Sequence, residues 1–312
     1  MQAIEKVAII GAGLVGQGWA IVFARAFKQV VISDKGEADT IRASLTAAAA
    51  ALAKAGLGPA PGDVMARIDV ATSLHDAVAS ADYVQESVFE RLDVKREVSL
   101  AIDAALPEHA FVGSSTSGFP ASHFTAECRR RDRFLVAHPV NPPHLVPMVE
   151  IVPAPWTDPV VALRTRALMD EVGQSPVSLD REIPGFVLNR LQGALLDEAF
   201  ALLGEGYASA DDIDRAVRDG LGLRWAFMGP FETIDLNAPG GLADYARRLG
   251  PMYAEFANQR DPDRRWRDEA IASAEAQRRA ALPADRLAGR RDWRDAMLMR
   301  ILKSKHRDEY TG

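Results

Sequence analysis

A single cysteine, Cys128, among 312 residues rules out an intramolecular disulfide and denies a structural zinc site its usual thiolates. A reducing, cytoplasmic setting is the expectation that follows. Long apolar runs are also missing: no stretch approaches the ~20 residues that cross a bilayer. No secretory leader is expected, because Glu5, Lys6 and Gly11 interrupt the place where its apolar core would lie. Excess positive charge is absent too. The 37 basic and 43 acidic residues leave a net charge of −6, which argues against a nucleic-acid or anionic-membrane partner. There is no internal repeat. What remains, at 48% hydrophobic and 26% charged, has the composition of a globular protein with an ample core, long enough for one large domain or two ordinary ones.

Two textures follow one another along the chain. From Val7 to about Leu179, short β-branched runs recur: KVAII, QVVISD, ARIDVAT, DYVQES, AFVGSS, FLVAH, MVEIV and PVSL. Helix-prone stretches separate most of the early ones, which is the pattern of a parallel, doubly wound sheet. After EIPGF the strand signal stops. FVLNRLQGALLDEAFALLGEG carries apolar residues at helical spacing and ends on Gly206. SADDIDRAV opens with Ser209 and Asp212 at capping-box spacing. GRRDWRDAMLMRILKSK sets Trp293, Met297, Leu298, Ile301 and Leu302 along one face. The expected architecture is α/β: a Rossmann-like, doubly wound domain over residues 1–185, then an all-α domain over 186–312.

KVAIIGAGLVGQGWAIVFARA places Gly11, Gly13 and Gly16 as G-x-G-x-x-G between a strand and a helix, with Asp34 closing the next strand. That context makes a dinucleotide fingerprint out of an otherwise weak pattern. Gly11 permits the tight turn, Gly13 lets the backbone approach a pyrophosphate, and Gly16 lets helix and strand pack closely. The helix N-terminus favours the anion; Leu14 and Val15 in its first turn count among the cofactor contacts. Asp34 suits ribose hydroxyls and repels a 2′-phosphate, so NAD is expected over NADP, with FAD as the second choice.

Three further segments carry chemistry. GSSTSGFP follows a strand, so it lies at the sheet's carboxyl edge, where ligands bind. AHPVNPP follows the next strand and holds His138, which by itself could be a base, a metal ligand or a packed bystander. VEIV buries Glu150 in an apolar strand, where an unpaired carboxylate is costly, and His138 is the obvious cation to pair with it. No carboxylate–histidine or cysteine spacing suits a metal. His144, in the same stretch, reads as a wall or surface residue. RRDWRD reads as a solvated helix face, and Trp293 with its neighbouring methionines as core or dimer contact.

GAGLVGQGWA, SSTSG, HPVNPP, VEIV and GFVLNRLQ, in that order, resemble the 3-hydroxyacyl-CoA dehydrogenase superfamily. GLGLRWAFMGPFETIDLNAPGG and RRDWRDAMLMRILKSK resemble its lambda-crystallin branch, whose enzymatic member oxidises L-gulonate. The similarity runs nearly the length of the chain. It implies an NAD-dependent oxidation of a 3-hydroxyl by Ser117, His138, Glu150 and Asn189. His138 takes the hydroxyl proton, Glu150 holds its ring and stabilises the imidazolium, and Ser117 and Asn189 hydrogen-bond the reacting oxygen. Asn189 would come from the helical domain, so the site would form between domains. Glu90, Lys95, Asn141 and Ser117 are implied as cofactor contacts. Two positions depart from the pattern: Phe89 stands where this branch commonly has proline, and Gly118 where many acyl-CoA members have serine.

The substrate is less fixed. Between Ala38 and Met65 the only basic residues are Arg42 and Lys54, poor provision for coenzyme A phosphates. A small 3-hydroxy acid is therefore expected, L-gulonate first. L-carnitine is a rival, with Trp225, Phe227 and Phe231 available to its quaternary ammonium, and a 3-hydroxyacyl-CoA is a third choice. Arg224 is a candidate to grip a substrate carboxylate. A non-catalytic, crystallin-like NAD-binding role is the alternative of a different class. By resemblance the helical domain forms a homodimer interface.

Overall fold

The computed structural model describes residues 3–258 and 266–305. Each β-branched run becomes a strand: β1 (Lys6–Ile10), β2 (Gln29–Ser33), β3 (Ile68–Val70), β4 (Tyr83–Glu86), β5 (Phe111–Ser114), β6 (Phe134–Pro139), β7 (Met148–Pro153) and β8 (Ser175–Ser178). They form one sheet in the order β3-β2-β1-β4-β5-β6-β7-β8. The first six strands in that order are parallel; β7 pairs antiparallel with β6, and β8 runs parallel to β7. The winding reverses between β1 and β4, which opens the crevice at their carboxyl ends that doubly wound folds use for ligands.

β4, β5 and β6 are buried along their whole length, as expected of strands covered on both faces. One face packs helices α1 (Leu14–Arg25) and α2 (Ala38–Ala55) through Trp19, Phe23, Ile41 and Leu45 onto Ile9 and Ile32. The other packs Ala77, Val78, Ile102 and Leu106 onto Ile10, Val84 and Val112. Trp19, Phe23 and Leu45 have no exposed surface, and each such burial contributes about 1.5–3 kcal/mol. A smaller cluster of Ala121, Phe124, Val136, Val152, Ala154 and Phe186 lies beside β6 and β7.

The chain divides into two compact units, Met1–Asn189 with Asp295–Gly312, and Arg190–Arg294. A single boundary near 185 would put everything after it in the helical domain; instead the end of the last helix (Leu287–Lys305) returns to the first unit. Leu298, Met299 and Leu302 pack against the core over α1 and α2, which explains the return. Trp293 and Ile301, expected on that same buried face, are half-exposed. The second unit is helical. Ser209 caps Ala210–Arg215 by accepting the Asp212 N–H at 3.2 Å and donating to its carboxylate at 2.6 Å. Among its described residues, only Ala201, Leu203, Thr233 and Ala270 are buried. No helix among the described residues is long and apolar enough to cross a membrane.

Candidate active site

At the end of β1 the chain turns on Gly11, whose φ of +97° suits glycine, and a Cβ there would sit 2.6 Å from the Ser87 carbonyl oxygen. A Cβ on Gly16 would collide with the Gly11 carbonyl, so helix and strand meet too closely for any side chain. Gly13, by contrast, has nothing within 4 Å of a Cβ; its space is open for a ligand. Gly13 is also the N-cap of α1, and no side chain caps that end, which leaves it to an anion. Leu14 is exposed and Val15 half-buried in the first turn. The exposed Asp34 carboxylate accepts the Ala12 N–H at 2.6 Å and the Gly36 N–H at 2.7 Å. A carboxylate has about four lone-pair sites, so capacity for ribose hydroxyls remains. This cradle fits NAD.

Beside it, the serine loop is tied to one carboxylate oxygen. Glu90 Oε1 accepts the Thr116 hydroxyl at 2.7 Å, the Ser117 N–H at 2.8 Å, the Ser117 hydroxyl at 3.1 Å and the Gly118 N–H at 3.3 Å. Glu90 Oε2 faces Lys95 Nζ at 3.3 Å. Burial alone raises the Glu90 pKa, but the Thr116 hydroxyl, the Lys95 charge and Ser117 outweigh it and hold the carboxyl below the usual glutamate range. Lys95 itself is fully buried, its ammonium also 3.1 Å and 3.2 Å from the two oxygens of Glu86. Glu86 additionally accepts the Val88 N–H and the Ser114 hydroxyl. Lys95, expected among the cofactor contacts, meets the serine loop through Glu90. Glu86 and Ser114 are absent from the sequence reading, although an acid in the apolar run YVQES gives the same signal that marks Glu150.

His138 and Glu150 are register partners across the antiparallel pair β6/β7. His138 Nδ1 lies 2.8 Å from Glu150 Oε2. The glutamate is fully buried and the histidine side chain 8% exposed. Glu150 Oε1 accepts the Val187 and Leu188 N–H groups at 2.8 Å and 2.9 Å, where the helix Leu188–Gly204 begins. Burial raises the Glu150 pKa; the His138 contact and those two N–H groups overcome it and keep the carboxyl below its ordinary value. Phe186 makes this junction. Its φ of +51° is a strained, left-handed conformation for a bulky residue, and its ring is fully buried 5.5 Å from the His138 ring. Asn189 Nδ2 donates to the Ser117 carbonyl at 2.5 Å, so the serine loop and the start of the helix are joined. Asn189 belongs to the first compact unit, not to the helical one as expected.

Residues 6–183 match the family model of the 3-hydroxyacyl-CoA dehydrogenase NAD binding domain, and residues 185–280 that of the 3-hydroxyacyl-CoA dehydrogenase C-terminal domain. The chain belongs to the 3-hydroxyacyl-CoA dehydrogenase family. It is an NAD-dependent dehydrogenase of the 3-hydroxy acid type. It is 40% identical to a lambda-crystallin homolog of Bos taurus over 308 residues, covering 96% of this chain and 95% of that one. It is 40% identical over 253 residues to an L-carnitine dehydrogenase of Nocardiopsis dassonvillei, covering 80% and 76%. Among solved structures, (S)-3-hydroxybutyryl-CoA dehydrogenase from Ralstonia eutropha matches with a TM-score of 0.69 at 29% identity, covering 88% and 95%.

The other expected positions of this dehydrogenase are placed less tightly. Asn141 is exposed, and its bond to Pro142 is cis. Arg224 is exposed on the short helix Gly222–Trp225 of the second unit. Phe89, next to Glu90, is 82% exposed. No group of three or more potential metal ligands occurs among the described residues. Beneath the serine loop the dehydrogenase has a polar network outside the expected set: Ser115 Oγ is approached by Trp19 Nε1 at 3.2 Å, Gln85 Nε2 at 2.7 Å and Ser87 Oγ at 2.9 Å.

Proposed function

We propose that this dehydrogenase oxidises the 3-hydroxyl of a small L-3-hydroxy acid, with L-gulonate as the substrate. The observation that carries the reaction is the buried His138–Glu150 pair. With a carboxylate on Nδ1, the proton of neutral imidazole belongs on Nδ1 and the Nε2 lone pair is free to act as base. Glu150 is held by Val187 and Leu188 and stays ionised, so it steadies the ring and offsets the imidazolium charge that forms. Ser117 and Asn189 are assigned to the reacting oxygen. NAD held on the glycine cradle would supply the hydride acceptor. His138 receives the hydroxyl proton, and the carbinol becomes a ketone. Gly11, Gly13, Leu14, Val15, Gly16, Asp34, Glu90, Lys95, Ser117 and Asn141 are assigned to the cofactor, within the domain of residues 1–185.

A small acid is favoured over a CoA thioester by the fate of Arg42. Its guanidinium donates to the Ile68 carbonyl at 3.3 Å and lies 3.8 Å from Asp69, which leaves Lys54 as the one other base on that segment. We assign Arg224 to the substrate carboxylate. Similarity to an L-carnitine dehydrogenase supports L-carnitine as the second reading. The helical unit exposes Leu223, Phe227, Phe231 and Leu236 by two-thirds or more of their surface; we assign this apolar surface to a homodimer interface. A buried, paired and oriented His138 argues against a purely structural role. The test is NADH formation from L-gulonate, L-carnitine and 3-hydroxybutyryl-CoA. Turnover is expected with L-gulonate first. NAD binding without turnover of any of the three would overturn the enzymatic reading.

A further inference from the structure

Arg25, at the end of α1, is a partly buried cation with no acid paired to it among the described residues. Burial lowers its pKa, yet no described carboxylate lies within ion-pair distance of it. Its one hydrogen bond, from Nη1 to the His144 carbonyl at 3.0 Å, uses a single N–H of five. Enclosing a guanidinium in this way is costly unless something pairs with it.

Arg25 lines a cavity of about 480 Å³ with His144, Leu57, Leu145, Leu302 and Lys305. Three of those walls are leucines, and Leu145 is only 3% exposed. Lys305 adds a second cation at the rim. One acid, Glu171, also lines the cavity, and it is held by Lys28 at 2.5 Å; Asp295 acts on His144. Among the described residues that line the cavity, Arg25 and Lys305 against Glu171 leave one net positive charge. The Nδ1 of His144 is buried without a hydrogen-bond partner, 3.3 Å from where a Cβ on Gly18 would stand. Burial, then the charge of Arg25, pushes its pKa down to about 4, so the ring is neutral and adds no charge of its own. None of these residues belongs to the nucleotide cradle or to the His138 cluster.

We propose that this cavity is a second binding site, for a small organic acid whose carboxylate takes two parallel bonds from Arg25 and whose apolar body lies against Leu57, Leu145 and Leu302. An inorganic anion would leave the leucine walls uncovered, and a neutral lipid would leave Arg25 unpaired. Arg25 also holds the His144 carbonyl, six residues beyond His138, so the occupant bears on the loop that follows the catalytic strand.

The probe is hexanoate, which has no hydroxyl to oxidise. It is titrated into the NAD-loaded protein and followed by the ring resonances of His144, identified by their loss in His144→Gln. A saturable shift with a dissociation constant on the order of 1 mM is expected for eight heavy atoms. Arg25→Met should weaken it tenfold or more, and Lys305→Met, at an exposed position that the fold does not need, about threefold. Hexanamide, the same body without charge, and sulfate, the charge without the body, should each bind at least about tenfold more weakly. Absence of any shift, equal binding by hexanamide or by sulfate, or unchanged binding by Arg25→Met overturns the proposal. If Arg25→Met fails to fold, Lys305→Met and the hexanamide comparison still decide it. None of these readings depends on turnover, so they stand or fall apart from the substrate assignment.

Discussion

Glu150→Gln tests the site through a conflict of hydrogen bonding. Glu150 Oε1 accepts two backbone N–H groups, from Val187 and Leu188. A glutamine can satisfy both only with its carbonyl oxygen, which forces its NH2 toward His138 Nδ1. Nδ1 must then accept, the imidazole proton moves to Nε2, and the base has no lone pair for the substrate. The variant also removes the charge opposite the forming imidazolium. Two unit charges about 4 Å apart at an effective dielectric of 20 interact by about 4 kcal/mol, while a hydrogen bond to a charged group contributes about 1.5–3 kcal/mol. At 1.36 kcal/mol per tenfold, a loss of about 3–4 kcal/mol lowers kcat by roughly 10²–10³. Single-turnover NADH formation at saturating acid measures it, with NAD affinity and thermal melting as controls, both expected to stay near wild type. Glu150→Ala, which strands two part-buried N–H groups, should additionally melt earlier, by up to about 1–3 kcal/mol for each. A folded Glu150→Gln protein whose kcat lies within tenfold of wild type would refute the reasoning.

Gly13→Ala should leave the melting temperature unchanged and weaken NAD binding, whereas Gly16→Ala should lower the melting temperature as well, because only the second Cβ meets protein; calorimetry and NAD titration separate them, and equal melting would contradict the cradle geometry. The folded chain holds the His144 pKa at about 4 against 6.5 for the free side chain, so the unfolded chain takes up the proton first and stability falls as pH drops from about 6.5 toward 4, by at most about 3 kcal/mol. Urea midpoints of His144→Gln should show a flatter pH slope over that window, and identical slopes would reject the cause. His138→Gln should abolish turnover and leave NAD affinity intact; near-normal kcat would remove the base assignment. Arg224→Met should raise KM for a free acid about tenfold or more and leave kcat largely unchanged, and an unaltered KM would end its role.

Much of the sheet was legible because burial on both faces leaves a plain record. Runs such as FLVAH and MVEIV have little to be except inner strands. The glycine fingerprint was legible because Gly11 and Gly16 answer steric demands that no other residue meets. Glu150 announced itself by its cost inside an apolar run. Glu86 sends the same signal from YVQES, but its partner Lys95 lies on a helix, and only the folded chain brings ammonium, Ser114 and two glutamates together. The reversed direction of β7 and β8 was hidden, since strand composition does not encode direction. The positive φ of Phe186 was hidden as well, because its burial, not its residue type, holds it there. The return of the last helix to the first unit depended on which side of an amphipathic stripe found a core: Leu298 and Leu302 did, and Trp293 did not. Arg25 carries no signal in the sequence, because its hydrogen bond to the His144 carbonyl joins residues 119 positions apart.

The antiparallel pairing of β6 with β7 ties competence to quality control. Side chains alternate across a strand, so slipping this hairpin by one residue would turn every group to the opposite face. His138 would lose its partner, and Glu150 would be stranded from both His138 and the Val187 and Leu188 amides. A molecule misthreaded here is thus inert and unstable at once, and any population that turns substrate over has already been proofread. For an engineer the same link fixes the length of both strands: a single inserted or deleted residue inside either one is forbidden.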